Sequence, residues 1–143
     1  MSKATHIVTG RCRFESVNLM NEGGSSLCLV ISKSDKTTIK RIRDAVEAAI
    51  LEGVARKIWP ERPPFVQDPL REYDANNYFL NTYNPKYDKP GLVGPDLEAI
   101  QPEDLKSGDE GRAALDFYAY DYRGREGVAV TLNNLQQLER AKA

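Results

Sequence analysis

Three tyrosines recur at alternate positions near the end of the sequence: Tyr118, Tyr120 and Tyr122, within Arg112-Ala113-Ala114-Leu115-Asp116-Phe117-Tyr118-Ala119-Tyr120-Asp121-Tyr122. In a strand, successive side chains point to opposite faces, so the three rings share one face and Ala113, Leu115, Phe117 and Ala119 share the other. Rings two residues apart stand about 7 Å from each other along a strand, close to the spacing of extended, unstacked nucleobases. Such a row offers π-faces to bases of any sequence, at roughly 1–3 kcal/mol per stacked base. The same pattern also arises as a ladder that ties strands together through cross-strand pairs, or as a row covered by another segment. Arg11, Arg13, Lys33, Arg112, Arg123 and Arg125 would add cations for a phosphate backbone, and Tyr83, Phe79 and Tyr73 are further rings from a neighbouring strand and loop.

Other chemistry is poorly supplied. His6 is the single histidine and lies near the start of the sequence, where such a group is usually solvated. Gly23-Gly24 lacks the Lys-Ser/Thr that completes a phosphate-binding loop. Glu103 with Asp104, or Asp109 with Glu110, could hold magnesium for a nuclease, but they fall in a segment that reads as mobile, and metal nucleases keep their carboxylates on rigid elements. The expectation is a protein with no catalytic residues, no metal site and no cofactor. Cys12 and Cys28 form neither a disulfide framework nor a zinc pattern.

The net charge of −1 argues against a binder driven by a basic tail. Its distribution is uneven: +4 over residues 1–57, −6 over 58–110 and +1 over 111–143. A basic surface would therefore need the two ends of the chain to come together. With 143 residues, 41% hydrophobic and 29% charged, the sequence suits one globular domain spanning 1–143. No apolar run approaches the roughly 18 residues of a membrane helix, and Met1 to Thr9 is no secretory signal, so a cytoplasmic location in the producing or host cell is expected.

The elements that must position these residues follow from periodicity. Thr5 to Leu19 is rich in strand formers, broken at Gly10, with Arg11, Arg13 and Glu15 alternating with Cys12, Phe14 and Ser16. A turn is expected at Asn21-Glu22-Gly23-Gly24. Ser25 to Ser32 follows as a strand apolar on both faces, hence a central one. Asp35 or Ser34 caps a helix from about Thr37 to Lys57, whose apolar stripe is Ile39, Ile42, Val46, Ala49, Ile50 and Gly53. Pro60, Pro63 and Pro64 end it. Tyr78 to Tyr83 reads as a short strand, and about 84–111 as a long acidic loop with one helical turn near Pro102 to Lys106. Arg112–Tyr122 and Glu126–Leu138 form a hairpin about Arg123-Gly124-Arg125. The fold is mainly β with one helix: five strands fit an OB-fold, a partly open barrel capped by its helix, and a β-grasp or another α+β sheet fits nearly as well.

Three stretches carry a resemblance to a known family. They are Val8-Thr9-Gly10-Arg11-Cys12-Arg13-Phe14, then Leu29-Val30-Ile31-Ser32-Lys33-Ser34-Asp35, then Phe117-Tyr118-Ala119-Tyr120-Asp121 through Gly124, Gly127-Val128-Ala129 and Leu132-Asn133-Asn134-Leu135-Gln136. The chain resembles the small phage-encoded single-stranded-DNA-binding proteins typified by an Enterobacter phage protein. That resemblance spans nearly the full chain and implies an OB-fold that coats exposed single strands in phage DNA replication or recombination. Its implied partners are single-stranded DNA and phage replication or recombination proteins, with no membrane. Ser32 departs from the proline usual in the family, Ser107-Gly108-Asp109 matches its element loosely, and Leu138 to Ala143 differs from the acidic tail of many single-strand binders. The alternative reading is a non-catalytic protein-interaction module that uses the same aromatic face on a protein partner.

Overall fold

The computed structural model describes residues 4–19 and 23–141. The turn expected at Asn21 and Glu22 lies outside the described residues. In chain order come β1 (His6–Val8), β2 (Cys12–Asn18), β3 (Ser25–Ser32), the helix α1 (Lys36–Ala55), β4 (Arg71–Glu72), β5 (Asn77–Asn84), β6 (Gly91–Val93), β7 (Glu110–Tyr122) and β8 (Arg125–Glu139). One sheet joins all eight strands in the order β4-β5-β3-β2-β7-β8-β6, with β1 also pairing β7. Among the described residues eight strands thus replace the expected five. β1 is the part of the expected Thr5–Leu19 stretch that precedes its break at Gly10, and the additions β4 and β6 are two and three residues long, too short to show a period.

Local sequence accounts for the main elements. Asp35 caps α1 by accepting from the Thr38 amide at 3.1 Å. Ile42, Ala49, Ile50 and Gly53 of the expected stripe are buried, joined by Thr38 and Ala45, while Ile39 and Val46 pack at the margin. β3 lies between β5 and β2, as its two apolar faces require. Leu27, Leu29 and Ile31 enter the core, where Phe14, Leu80, Leu115, Phe117, Val130 and Leu132 meet them. β2 departs from simple alternation. A bulge between Phe14 and Val17 inserts one residue, so Ser16 is exposed and Val17 turns to the core in the place alternation gave to Ser16.

The β7–β8 ribbon is the longest element and carries every tyrosine of the row. Its turn is tighter than expected, since Tyr122 pairs with Arg125 and only Arg123 and Gly124 form the loop. Both have positive φ, 53° and 82°, as a two-residue turn matched to strand twist demands. The sheet curls until the end of β5 meets the middle of β8 through a side chain. Buried Asn84 donates to the Leu132 carbonyl at 2.7 Å and accepts from the Leu132 amide at 3.0 Å, so one carboxamide does the work of a strand pair.

Two parts of the sequence expectation change. The acidic segment 84–111 is not loose: Leu92 and Leu135 are paired in a parallel β6–β8 ladder, Leu105 is buried, and Asp109 accepts from the amides of Lys106 and Ala141 and from Gln137 Nε2. A short 3-10 turn at Pro102–Asp104 stands where a helical turn was expected. Trp59, absent from the periodic pattern, is fully buried after the end of α1, and its indole donates to the Tyr120 carbonyl at 3.1 Å. Gly53 makes room for it, because a Cβ there would stand 2.6 Å from the Ala119 methyl and 3.1 Å from the indole ring.

Candidate nucleic-acid interface

Alternation along β7 sorts its residues cleanly. Ala113, Leu115 and Phe117 are buried and Ala119 packs against the core, while Tyr118 and Tyr122 are 43% and 62% exposed on the outer face. Tyr120 stands between them but is half-buried. Its hydroxyl donates to Gln67 Oε1 at 2.9 Å, and Gln67 belongs to an extended strap between α1 and β4. That strap lies against the ribbon by a bridge between Gln67 and Gly127. Gly127 must be glycine for this contact, since a Cβ would fall 2.6 Å from the Tyr120 hydroxyl and 2.9 Å from Gln67 Cβ.

The row continues across the seam. Tyr83 on β5 is exposed, and its hydroxyl donates to the Gly23 carbonyl at 2.9 Å. Burial pushes the Tyr118 phenol above its ordinary pKa; a hydrogen bond with Thr131 opposes the shift, and Tyr120, Asp116 and Tyr83 reinforce it. Tyr120 and Tyr83 therefore both lie near enough to the Tyr118 phenol to act on it.

Tyr73 and Phe79 form a separate cluster on the outer face of β5, β3 and β2. Their rings meet edge to face at 6.0 Å, and the Arg13 guanidinium lies 5.9 Å from the Tyr73 ring. By register, Arg13, Val30, Phe79 and Arg71 stand side by side across four strands. Arg13 is also bonded to Glu15 at 2.9 Å, which raises its pKa. Lys33 binds Glu72 at 2.7 Å and sits 5.0 Å from the Tyr78 ring.

The cations named from sequence thus divide. Arg11 is held between Glu110, at 2.7 Å, and Glu139, and its pKa rises chiefly through the Glu110 hydrogen bond. Arg11, Arg13 and Lys33 all face a carboxylate of the protein. Arg112, Arg123 and Arg125 form no ion pair among the described residues. Arg112 lies at the base of the ribbon beside Val93 and Gln136, while Arg123 and Arg125 flank its tip, where Arg123 covers the Tyr122 ring at 5.3 Å. From Arg112 to Arg123 a strand extends about 35–40 Å, so these cations mark opposite ends of the surface.

Phe65 is a residue that sequence reasoning passed over. It is 72% exposed on the strap, beside the ribbon tip, and it sits between prolines where no alternation marks it. Three of the four loop acids considered for magnesium are otherwise engaged: Asp109 is buried in its hydrogen bonds, Glu110 pairs with Arg11, and Asp104 accepts from the Gln101 amide at 2.9 Å, while Glu103 is exposed. Among the described residues no three His, Cys, Asp or Glu side chains cluster to hold a metal ion. No helix there is long and apolar enough to cross a membrane.

Comparison with known proteins gives one family and one fold. A family model described as "Enterobacter phage Enc34, ssDNA-binding protein" matches residues 5–143. No curated protein matches the sequence. Among solved structures, the single-stranded DNA-binding protein of bacteriophage Enc34 in complex with ssDNA aligns with a TM-score of 0.78 at 13% identity, over 98% of this chain and 89% of that one. A second structure of the single-stranded DNA-binding protein from bacteriophage Enc34 gives 0.79 at 14%, over 98% and 84%. The gp2.5 single-stranded DNA binding protein of bacteriophage T7 gives 0.70 at 13%, over 96% and 88%. At these identities the structural likeness is one of fold.

Proposed function

The chain belongs to the family of the Enterobacter phage Enc34 ssDNA-binding protein, and from that premise we propose that it coats single-stranded DNA in phage replication or recombination. The observation that carries this reading is the outer face of β7, where Tyr118 and Tyr122 stand exposed two pleats apart and Arg123 covers the second ring. Stacking on such rings is indifferent to sequence because every base has a π-face. Arg112, Arg123 and Arg125 supply the phosphate contacts that need no rearrangement. Arg11, Arg13 and Lys33 would contribute only if DNA displaces their carboxylates, and exposed pairs of that kind are worth about 0–1 kcal/mol. Tyr83 extends the row over the seam, and Tyr73 with Phe79 offers a second stacking patch. The site uses no cofactor and no metal, and the host-cell cytoplasm is where such a protein would meet its DNA.

The topology supports a finer statement of fold. β2, β3, β5, β7 and β8 trace a five-stranded, partly open barrel closed at Asn84, with α1 against β7, as in one OB-fold domain spanning residues 1–143 with additions at its edges. OB-folds bind strands across their second and third strands and at the connections of strands one to two and four to five. Here those are β3, β5 and the Arg123-Gly124 turn, which carry Phe79, Tyr83 and the tip cations.

Titration of oligo-dT by intrinsic fluorescence at several salt concentrations tests the reading. Affinity should fall with salt, less steeply than for a protein held by phosphate contacts alone. Absence of binding to a 30-mer at low salt would remove the DNA reading and leave the protein-interaction module.

A further inference from the structure

Phe65 is a large ring left in water by a segment that is otherwise tightly tied down. The strap begins at buried Trp59. Arg62 next makes a two-point pair with Glu47 of α1, at 2.7 and 3.0 Å. Gln67 then bonds on both sides to the ribbon, its amide donating to the Glu126 carbonyl at 3.0 Å and its carbonyl accepting from the Val128 amide at 3.2 Å. Leu70 re-enters the core. Phe65 therefore projects from a fixed backbone, with Pro64 limiting the freedom of the residue before it. A floppy loop would leave an aromatic exposed by default. This one is held out.

The ring borders a cleft of about 300 Å³ lined by Pro64, Phe65, Gln67, Gly124, Arg125 and Glu126. One wall is aromatic and another carries a guanidinium, the two planar groups on which unpaired bases stack. Glu126 also lines it, and a carboxylate repels a phosphate while accepting from the amino group of a base. The cleft suits a base with its backbone kept outside, toward Arg123.

We infer that this cleft is a nucleobase subsite of the single-strand path, that Phe65 is its stacking ring, and that Tyr120 is a positioning residue that latches the strap through Gln67. The inference rests on the single-strand-binding reading and changes the role of the middle tyrosine. Tyr118 and Tyr122 face solvent, but the Tyr120 hydroxyl is spent on Gln67 and its ring is half covered. The row would thus present Tyr118, Tyr122 and Phe65, with Tyr120 beneath.

Four variants measured against one oligo-dC and one oligo-dT decide it. Phe65→Ala should weaken single-strand binding roughly tenfold with unchanged melting, and Phe65→Trp should restore it. Tyr120→Phe keeps a ring and removes only the hydroxyl. It should speed amide exchange at Gln67 and Val128 and weaken binding severalfold, because the strap is released. Tyr122→Ala reports on the underlying reading. Unchanged affinity in Phe65→Ala while Tyr122→Ala binds weakly would overturn the subsite and leave single-strand binding intact. Wild-type affinity with wild-type exchange in Tyr120→Phe would overturn the latch and return Tyr120 to the stacking row. No binding by the parent protein would remove the reading beneath both.

Discussion

At the base of the β7–β8 ribbon, Arg11 is clasped by Glu110 and Glu139 and Asp109 is buried among two amides and a carboxamide, whereas at its tip Arg123 and Arg125 meet no carboxylate among the described residues and Tyr122 and Phe65 face water. The two ends use similar side chains for opposite purposes. At the base, Arg112 apart, charge is consumed in fastening the acidic segment 84–111 and the strand ends to the sheet. At the tip it is left available. A residue type therefore says little about binding until its partners are known. The acidic segment also lies with the base, since β6 pairs β8 at Asn134 to Gln136, about 30 Å along the ribbon from Arg125.

Between the ends, the inner face of β7 holds both in place, and here the largest effect is expected. Phe117→Ala should cost about 3–5 kcal/mol of unfolding free energy by leaving a cavity in the core. Chemical denaturation measures it. A register slipped by one residue would put the tyrosines inside and reverse the outcome. A mild Phe117→Ala with an unfolded Tyr118→Ala would dissolve the distinction between the ribbon's faces.

The next effect belongs to the base. Asp109→Ala leaves the Lys106 and Ala141 amides without their side-chain acceptor and the Gln137 carboxamide with only the Asp104 carbonyl, which should cost about 2–3 kcal/mol. Burial alone would raise the Asp109 pKa, but donation from Ala141, Lys106 and Gln137 outweighs it and the pKa falls below the ordinary value. A folded-state pKa below the unfolded one gives stability that is present above the unfolded value, about 3.9, and lost as pH falls through the folded one. Melting of the parent should drop below about pH 4 more steeply than that of Asp109→Asn. Single-strand affinity of either variant, per folded molecule, should stay at the parent level. A joint loss of affinity would show that the base takes part in binding through more than Arg112.

How much of this was readable beforehand depended on the range of the interaction. The strands with a clean period, β3, β7 and β8, and the stripe of α1 follow from spacing alone. Ser16 lies on the wrong side because one inserted residue resets alternation, and sequence gives no mark of a bulge. Trp59 and Phe65 lie among prolines with no periodic neighbours, so one buried ring and one exposed ring look alike. Most consequential is Arg11. Its partners Glu110 and Glu139 are 99 and 128 positions away, and no local pattern distinguishes a paired arginine from a free one. The tyrosine row was legible because its geometry is local. The strap that half covers Tyr120 was not, because that contact joins residues 53 positions apart.

At the tip, Tyr122→Ala should weaken single-strand binding by roughly 1–3 kcal/mol with little change in melting, the ring being mostly in water already. Tyr118→Ala should follow in the same direction. It is the more enclosed of the two rings, so its stability readout should move slightly as well. Fluorescence anisotropy with a labelled oligo-dT separates the two effects. Equal and negligible losses in both variants would mean that the tip is no more a binding surface than the base.

The smallest effect gives the sharpest contrast, because it compares two arginines directly. Each phosphate contact on a single strand contributes about 0.7 to the slope of log affinity against log salt. Arg11 presents its guanidinium to two carboxylates, so a phosphate approaching it meets a net negative neighbourhood. Arg123 lies over the Tyr122 ring and makes no ion pair among the described residues, so it can meet an outside acceptor. Arg123→Asn is the suitable replacement at the tip, since Asn tolerates the positive φ of 53° found there. It should lower the salt slope by about 0.7 with a loss of affinity below tenfold at moderate salt. Arg11→Ala should leave the slope at the parent value, even if melting falls slightly with the lost pairs. A slope reduced equally by Arg11→Ala would show that DNA displaces Glu110 and Glu139. The base would then be a second landing place whose carboxylates give way to phosphate, and the two ends would differ only in which anion holds the arginine before DNA arrives.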